Sequence, residues 1–378
     1  MKLIHLSDLH LGKRVNEYSM IEDQEYILKQ IIRIIDDEQP DAVLIAGDIY
    51  DKSVPSAEAV RLLDDFLCLL ADRKLQIFVI SGNHDSPERI AFGSRLMNAG
   101  GVHMSPVYNG SVTPCCLQDT FGTVNIYMLP FIKPAHVRRF GGESIESYTD
   151  ALSYAVSAMQ IDPNARNVLV THQFVTGASR SDSEELSVGG ADNVDASVFS
   201  VFDYTALGHI HSPQQCGTET IRYCGTPLKY SFSEAGDRKS VTVVELAEKG
   251  VVHIRAVPLV PLHDMVELKG SYAELTLKSY YDGTTWQEDY THITLTDEED
   301  IPDAVGKLRT IYHRLMKLDY DNTRTRAASV IDLPEQAVVQ SPLELFAGLY
   351  EMQNGQGMSD EQAAFLRKLI EDIQEDDA

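Results

Sequence analysis

The chain has 378 residues, 43% hydrophobic and 24% charged, which is the composition of an ordinary globular protein with room for two or three cores. No apolar run approaches the ~20 residues of a membrane span, and the five cysteines contain no Cys-x-x-Cys, which argues against a thiolate zinc site and against a disulfide framework. Lysine plus arginine number 32 against 57 acidic residues, so the net charge is 32 − 57 = −25, which argues against nucleic acid as a partner unless bound metal or a partner chain reverses the local field.

The chain runs from its first residues into a strand-like 2–6, with no secretory signal, so a reducing cytoplasm and five buried, reduced cysteines are expected. A polar stretch, Ser7-Asp8-Leu9-His10-Leu11-Gly12, follows this first strand. Tyr26, Ile27, Ile31, Ile34 and Ile35 then recur at helical spacing until Pro40 stops the helix. Residues 41–46 read as a buried strand ending in Gly47-Asp48. Ser56 caps a helix carrying Val60, Leu63, Phe66, Leu67 and Leu70. A third strand, 75–81, ends in Gly82-Asn83-His84-Asp85, and Pro87 opens a helix running to about Asn98. Strand and helix thus alternate, the pattern of an α/β fold.

The middle is richer in strand. Strands are expected at 124–129, 167–170, 204–207, 221–223, 240–246 and 251–257, with a helix at 144–159. Thr171-His172 and Gly208-His209-Ile210-His211 again close apolar runs with histidine. Residues 174–199, with Gly189-Gly190, read as a long loop, and loops of that length are usually functional or mobile. Two stacked sheets between helical layers are inferred. The division expected is 1–260 as the catalytic unit, 261–330 as a small α+β cap beginning at Pro258 and Pro261, and 331–378 as a helical tail. Within the cap, strands fall at 265–268, 291–295 and 315–320 and helices at 272–280 and 302–312. Leu343, Phe346, Leu349 and Tyr350 share one tail-helix face, Phe365, Leu366, Leu369 and Ile373 another after Ser359, and 371–378 is acidic.

Polar clusters at five strand ends are the signature of a shared site, because open α/β sheets bind ligands at the carboxyl ends of their strands. Asp8 and His10 are two apart and on an extended segment would share a face and one ion; His209 and His211 have the same spacing and can serve one ion or two neighbours. The ligand set read from these clusters is Asp8, His10, Asp48, Asn83, His172, His209 and His211, with Asp48 bridging two ions. Carboxylate, imidazole and amide donors without thiolate suit Mn²⁺, Fe²⁺ or Zn²⁺, and an ion pair sharing a carboxylate activates a water. His84 follows ligand Asn83, so it is expected to point away from the ions, toward a leaving group that needs a proton. Asp85 is read as the carboxylate that orients this imidazole. The remaining His5, His103, His253 and His292 are read as structural.

The series Asp8-x-His10, Gly47-Asp48, Gly82-Asn83-His84-Asp85, Thr171-His172 and Gly208-His209-x-His211 resembles the calcineurin-like metallophosphoesterases, a four-layer αββα sandwich. Within that superfamily the chain is similar to the SbcD family of bacterial nuclease subunits, counterparts of the Mre-type repair nucleases. The narrower likeness rests on Ser7–Gly12, Gly47–Asp51, Ala206–His211 and the segment Gly225-Thr226-Pro227-Leu228-Lys229-Tyr230-Ser231-Phe232-Ser233-Glu234, which carries no ligand. It covers roughly residues 1–258 strongly; cap and tail match in layout more than in motif.

The resemblance implies Mn²⁺-dependent exonuclease action on double-stranded DNA ends, endonuclease action on single strands and hairpins, and roles in repair, recombination and replication. It also implies an SbcC-type, SMC-like ATPase partner docked on the tail, and a homodimer of the nuclease within a heterotetramer. Residues 56–72 and 87–98, with Leu62, Leu63, Phe66 and Met97, are the candidates for the dimer contact. Archaeal and eukaryotic relatives carry histidine where Asp51 stands, so Asp51 is assigned no catalytic role; Lys13, Arg14 and Arg89 are candidate DNA contacts. A small-molecule phosphodiesterase or phosphatase using the same metals is the competing reading, slightly favoured by the acidic charge, and a non-catalytic architectural subunit is a third.

Overall fold

The computed structural model describes residues 1–184, 192–329, 343, 346–350 and 357–376. Two six-stranded sheets lie face to face. The first runs Val252–Pro258, Ser240–Leu246, Lys2–Leu6, Ala42–Ala46, Gln76–Ile80, Val102–Met104. The second runs Gln214–Cys216, Thr218–Tyr223, Tyr204–Gly208, Arg166–His172, Gly122–Leu129, Cys115–Asp119. Neighbouring central strands are parallel in both, and they are apolar nearly throughout because both faces are covered. Leu3, Leu44, Phe78 and Ile80 of the first sheet pack against Ile126, Val168, Val170 and Ala206 of the second. Outside the first sheet lie the helices Ile21–Glu38 and Ala57–Ala71, which insert Ile27, Ile31, Phe66 and Leu70. Outside the second lie Pro134–Gly141 and Tyr148–Ser157, which insert Val137, Leu152 and Ala155. The result is the four-layer αββα sandwich.

Several elements differ from expectation for identifiable reasons. The helix expected over 87–98 is two single turns, Pro87–Ile90 and Ser94–Met97, separated by Gly93 at φ +73°. A left-handed residue cannot continue a helix, and glycine adopts it without cost from a side chain. The helix expected over 144–159 starts at Tyr148, where Ser147 and Asp150 cap each other's backbone N–H groups. Helix Pro134–Gly141 and the hairpin Arg14–Val15/Tyr18–Ser19 were not foreseen from the sequence. Cys216 and Cys224 are buried thiols, but Cys68 and Cys116 are exposed, contrary to the expectation for all five; none is in a disulfide.

The cap is a three-stranded parallel sheet, Met265–Gly270, Tyr290–Leu295 and Arg314–Tyr320, over a core of Leu268, Leu275, Ile293, Leu308 and Tyr312. Its helices are shorter than expected: Tyr272–Leu275, Lys278–Tyr281 and Ala304–Arg309. Buried Asp23 ties the cap to the first helix, accepting from the Tyr290 hydroxyl at 2.8 Å and lying 3.0 Å from His263 Nδ1. Leu63 and Phe66, offered as dimer contacts, are core residues; Leu62 and Met97 are half-buried, whereas Phe92 and Leu96 are each 84% exposed. In the tail, helix Asp360–Asp376 leaves Phe365 and Leu369 exposed, as are Phe346 and Leu349. Gly189-Gly190 and the Ile373 side chain lie outside the described residues. No described helix is long and apolar enough to cross a membrane.

Candidate dimetal site

Five strand ends deliver the site. Asp8 and His10 follow Lys2–Leu6, Asp48 follows Ala42–Ala46, and Asn83 and His84 follow Gln76–Ile80. His172 ends Arg166–His172, and His209 and His211 follow Tyr204–Gly208. Asp8 and His10 do not share a face through extended backbone: their φ angles are 52° and 44°. Asp48 at 47° and His209 at 102° are also left-handed. Each such residue costs roughly 1–2 kcal/mol, and the loops hold one another in place. The Asp8 and His10 N–H groups donate to the Gly47 and Asp48 carbonyls at 3.0 and 2.9 Å. Gln24, on the first helix, donates to the His10 carbonyl at 2.7 Å and to the Tyr230 hydroxyl, which itself donates to the Leu9 carbonyl at 2.7 Å.

The polar atoms converge. Asp8, His10 and His211 form one group whose ligand atoms lie within 4.8 Å of one another; Asp8, Asp48 and His172 form a second, and His10, Asp48 and His84 a third. His10 Nε2 and His211 Nε2 face each other at 3.1 Å. Asn83 Oδ1 is 2.9 Å from both His172 Nε2 and His209 Nδ1, and His172 Nε2 is 3.3 Å from Asp48 Oδ2. All seven candidate ligands are therefore in one cluster, with Asp48 and Asn83 at its centre. The donor set fits divalent cations: opposed ring nitrogens and carboxylate oxygens, buried away from water, need a positive charge between them. His10 Nδ1 and His209 Nε2 are buried without a hydrogen-bond partner among the described residues.

Burial dominates the titration of the cluster's own side chains. It drives the Asp8 carboxyl up to about 6, against the pull of His172 and His211. It holds His10 and His209 well below the usual histidine range. Burial also pulls His172 down, but Asp48, Asp8 and the Ala46 carbonyl outweigh it and raise the ring to about 9. Asp48 stays well below the carboxylate range despite burial, because His172 and His84 stabilise its anion.

Supporting groups fix the ring tautomers. His172 Nδ1–H donates to the Ala46 carbonyl at 2.9 Å, which leaves Nε2 as the ring atom that faces the cluster. The His211 Nδ1 is 2.5 Å from Ser183 Oγ, which donates to Glu234 at 2.5 Å; Lys239 Nζ donates to the same carboxylate at 2.5 Å and to the His211 carbonyl at 2.9 Å. This Lys239–Glu234–Ser183–His211 chain, buried but for a half-buried Ser183, was not foreseen. Its only sequence trace is Glu234 at the end of a ligand-free segment with no other evident reason to be specified.

Two expectations about His84 are corrected. Its ring does not point away from the cluster: Nε2 is 3.9 Å from Asp48 Oδ2, and the ring meets that of His10 edge-on, with centroids 4.9 Å apart. Asp85 does not orient it. The Asp85 carboxylate is buried and accepts from the backbone N–H groups of Ile49, Tyr50 and Gly82 at 3.0, 3.0 and 2.9 Å, which pins the two strand ends together. The group at His84 Nδ1 is the Asp51 carbonyl, 3.2 Å away. Of the candidate DNA contacts, Lys13 pairs with Asp51 at 2.8 Å, and Arg14 and Arg89 donate to the Glu17 and Ser53 carbonyls.

Residues 1–213 match the family model of calcineurin-like phosphoesterases, and residues 261–354 match that of the type 5 capsule protein repressor C-terminal domain. The chain is 35% identical over 323 residues to the SbcD subunit of the nuclease SbcCD from Staphylococcus epidermidis, covering 84% of this chain and 85% of that protein. Among solved structures, a dimetal phosphatase from Danio rerio aligns with a TM-score of 0.41 at 10% identity, over 69% of this chain and 98% of that one. A Thermus thermophilus protein aligns at 0.39 and 11%, over 68% and 98%.

Proposed function

We infer the function from one premise: this chain belongs to the calcineurin-like phosphoesterase family and, within it, to the SbcD-type nuclease subunits. It is a dimetal phosphodiesterase. Its substrate, in our proposal, is DNA, cut at double-stranded ends, single strands and hairpins, with Mn²⁺ as the metal. We further assign it an SbcC-type ATPase partner in a heterotetramer containing two copies of this chain, a cytoplasmic place, and work in repair, recombination and replication. The division at 260/261 and 330/331 into nuclease, cap and partner-binding tail belongs to the same proposal.

The observation that carries the reading is the convergence of two carboxylates, four imidazoles and one amide oxygen around Asp48. Asp8, His10 and His211 would hold one ion, Asn83, His172 and His209 the other, and Asp48 both. Bound there, the ions supply Lewis-acid polarisation of the phosphate and activation of water. In this proposal His84 acts as an imidazolium: the Asp51 carbonyl accepts from Nδ1–H, and the Nε2–H is the proton given to the departing sugar oxygen. The Ala46 carbonyl and the Ser183–Glu234 pair keep His172 and His211 in the tautomer that a ligand needs.

The test is cleavage of an end-labelled DNA hairpin with Mn²⁺, ATP and the ATPase subunit. Wild type should cut; His84→Ala should bind Mn²⁺ by calorimetry yet cut about 10²–10⁴-fold more slowly. If wild type leaves DNA intact while hydrolysing a chromogenic diester, the DNA reading is wrong and a small-molecule phosphodiesterase replaces it.

A further inference from the structure

Beside the cluster is a second cavity, of about 300 Å³, that the chemistry above does not use. Asn83 forms one side, so the cavity opens directly beside the candidate ligands. Phe131 is its inner wall: that ring lies nearly parallel to His209, at 17° with centroids 6.5 Å apart, and edge-on to His172. Tyr108 supplies a second aromatic wall, and the first turn of helix Pro134–Gly141 brings Lys133 and His136, with Arg139 one turn on. Residues 133–139 hold two arginines, a lysine and a histidine with no carboxylate, in a chain whose net charge is −25. The His136 Nδ1 accepts the Lys133 N–H at 3.3 Å. Burial first, then Lys133 and Arg139, lower the affinity of this ring for a second proton, so at neutral pH it offers an Nε2–H donor rather than a charge. Two acids line the cavity, Glu88 and Asp85, and the Asp85 carboxylate is taken up by the N–H groups of Ile49, Tyr50 and Gly82.

We propose that this cavity is a nucleotide subsite, taking the nucleotide next to the scissile phosphate with its base against Phe131 and Tyr108 and its phosphate on Lys133, His136 and Arg139. The inference rests on the nuclease reading and adds to it where the adjoining nucleotide sits. Aromatic faces accept any base, and cations track the backbone, so the subsite is sequence-tolerant and suits a frayed or single-stranded end rather than an intact stack. It also answers the charge problem: an acidic chain meets an anionic polymer through one local basic strip beside the metals.

The experiment uses the full chain with its ATPase partner and the double variant Lys133→Ala/Arg139→Ala, alongside Phe131→Leu. A fluorescent DNA hairpin and the chromogenic diester bis(p-nitrophenyl) phosphate are followed in parallel, and hairpin binding is measured by anisotropy over a range of salt. The ratio of hairpin to diester kcat/KM is expected to fall at least tenfold in the double variant. The slope of log affinity against log salt should lose about one unit, as removal of one phosphate contact requires. Phe131→Leu should lower the same ratio without changing the slope. A ratio and slope that stay at wild-type values in both variants overturn the subsite. A wild type that cuts the diester and never the hairpin overturns the nuclease reading itself, a different result.

Discussion

Around the candidate ligands, charged and titratable groups are taken out of water; on the cap most of them stay in it, Asp289 being an exception. Asp8, His10 and His172 are fully buried and Asp48 nearly so. The ion pairs of the cap join side chains such as Arg324 and Asp300, 67% and 63% exposed, or Lys317 and Asp319, 52% and 45% exposed. The backbone shows the same contrast. Asp8, His10, Asp48 and His209 are left-handed without being glycine, whereas Asp303 alone is so among the described cap residues. Strain and buried charge persist only where surrounding structure over-determines them. Around the cluster that surrounding structure is the set of loop-to-loop hydrogen bonds from Gly47, Gln24, Tyr230 and Glu234. Equal changes in sequence should therefore have very unequal effects in the two regions.

The sharpest way to break this comparison is a glycine substitution in each region. A methyl on Gly208 would lie 1.9 Å from the Ala46 carbonyl oxygen and 2.7 Å from His172 Nδ1. Neither can retreat, since one is a central strand and the other a candidate ligand. Gly208→Ala should cost more than about 4 kcal/mol in denaturant unfolding, or yield no folded protein. Gly283→Ala in the cap meets nothing within 4 Å and carries only the penalty of its φ of +79°, about 1 kcal/mol. Similar losses at the two positions would sink the idea that the site region is the over-determined one.

Next in size is the chain behind His211. Glu234→Gln leaves the ligand atoms in place but weakens the group that holds Ser183 and, through it, the ring. Mn²⁺ affinity by calorimetry should fall some 10–100-fold, and Ser183→Ala should fall toward the lower end of that range, with the fold retained by circular dichroism. Unchanged affinity in both would mean that His211 is fixed by its backbone alone, through the Glu184 carboxylate that accepts its N–H at 2.6 Å.

The candidate ligands were legible because each follows an apolar run that can only be a buried strand, and strand ends in an α/β sheet come together whatever the loops between them. The supporting groups were not. Glu234 and Ser183 reach His211 from 23 and 28 positions away in the sequence, and nothing local marks either as a partner. Asp85 misled for a related reason: a carboxylate next to a histidine suggests an orienting pair, but three backbone N–H groups compete for it and win. The His84 partner is a main-chain carbonyl, which a sequence cannot display. Helix Pro134–Gly141 was missed because it buries only Val137, so its apolar periodicity is a single residue. That miss hid the basic strip beside the site.

The pair of Asp119 and Arg166, at the edge of the second sheet, lies between the two extremes. Arg166 is 2% exposed and donates to Asp119 Oδ2 at 3.0 Å, and this guanidinium holds the carboxyl well below the usual carboxylate range. The native state therefore binds fewer protons than the unfolded chain in acid. The stabilisation is complete above about pH 4, the ordinary aspartate value, and is lost as pH falls below it. Asp119→Asn should lower stability by about 2 kcal/mol at pH 7, with the gap between variant and wild type narrowing toward pH 2. A gap that widens in acid would contradict the assignment.

The smallest effect belongs to the cap surface. Arg324 and Asp300 meet at 2.7 Å, but both side chains are mostly in water. Ordering two long side chains offsets most of the attraction there, and salt screens the remainder. Arg324→Ala should move the thermal midpoint by less than about 1 °C, and the difference should vanish in about 0.5 M salt. A shift of several degrees that survives salt would show that the cap is held together by its charges rather than by the Leu268, Ile293 and Tyr312 core. The contrast between a buried, strained site and a tolerant cap would then have to be redrawn as one between two kinds of electrostatic network.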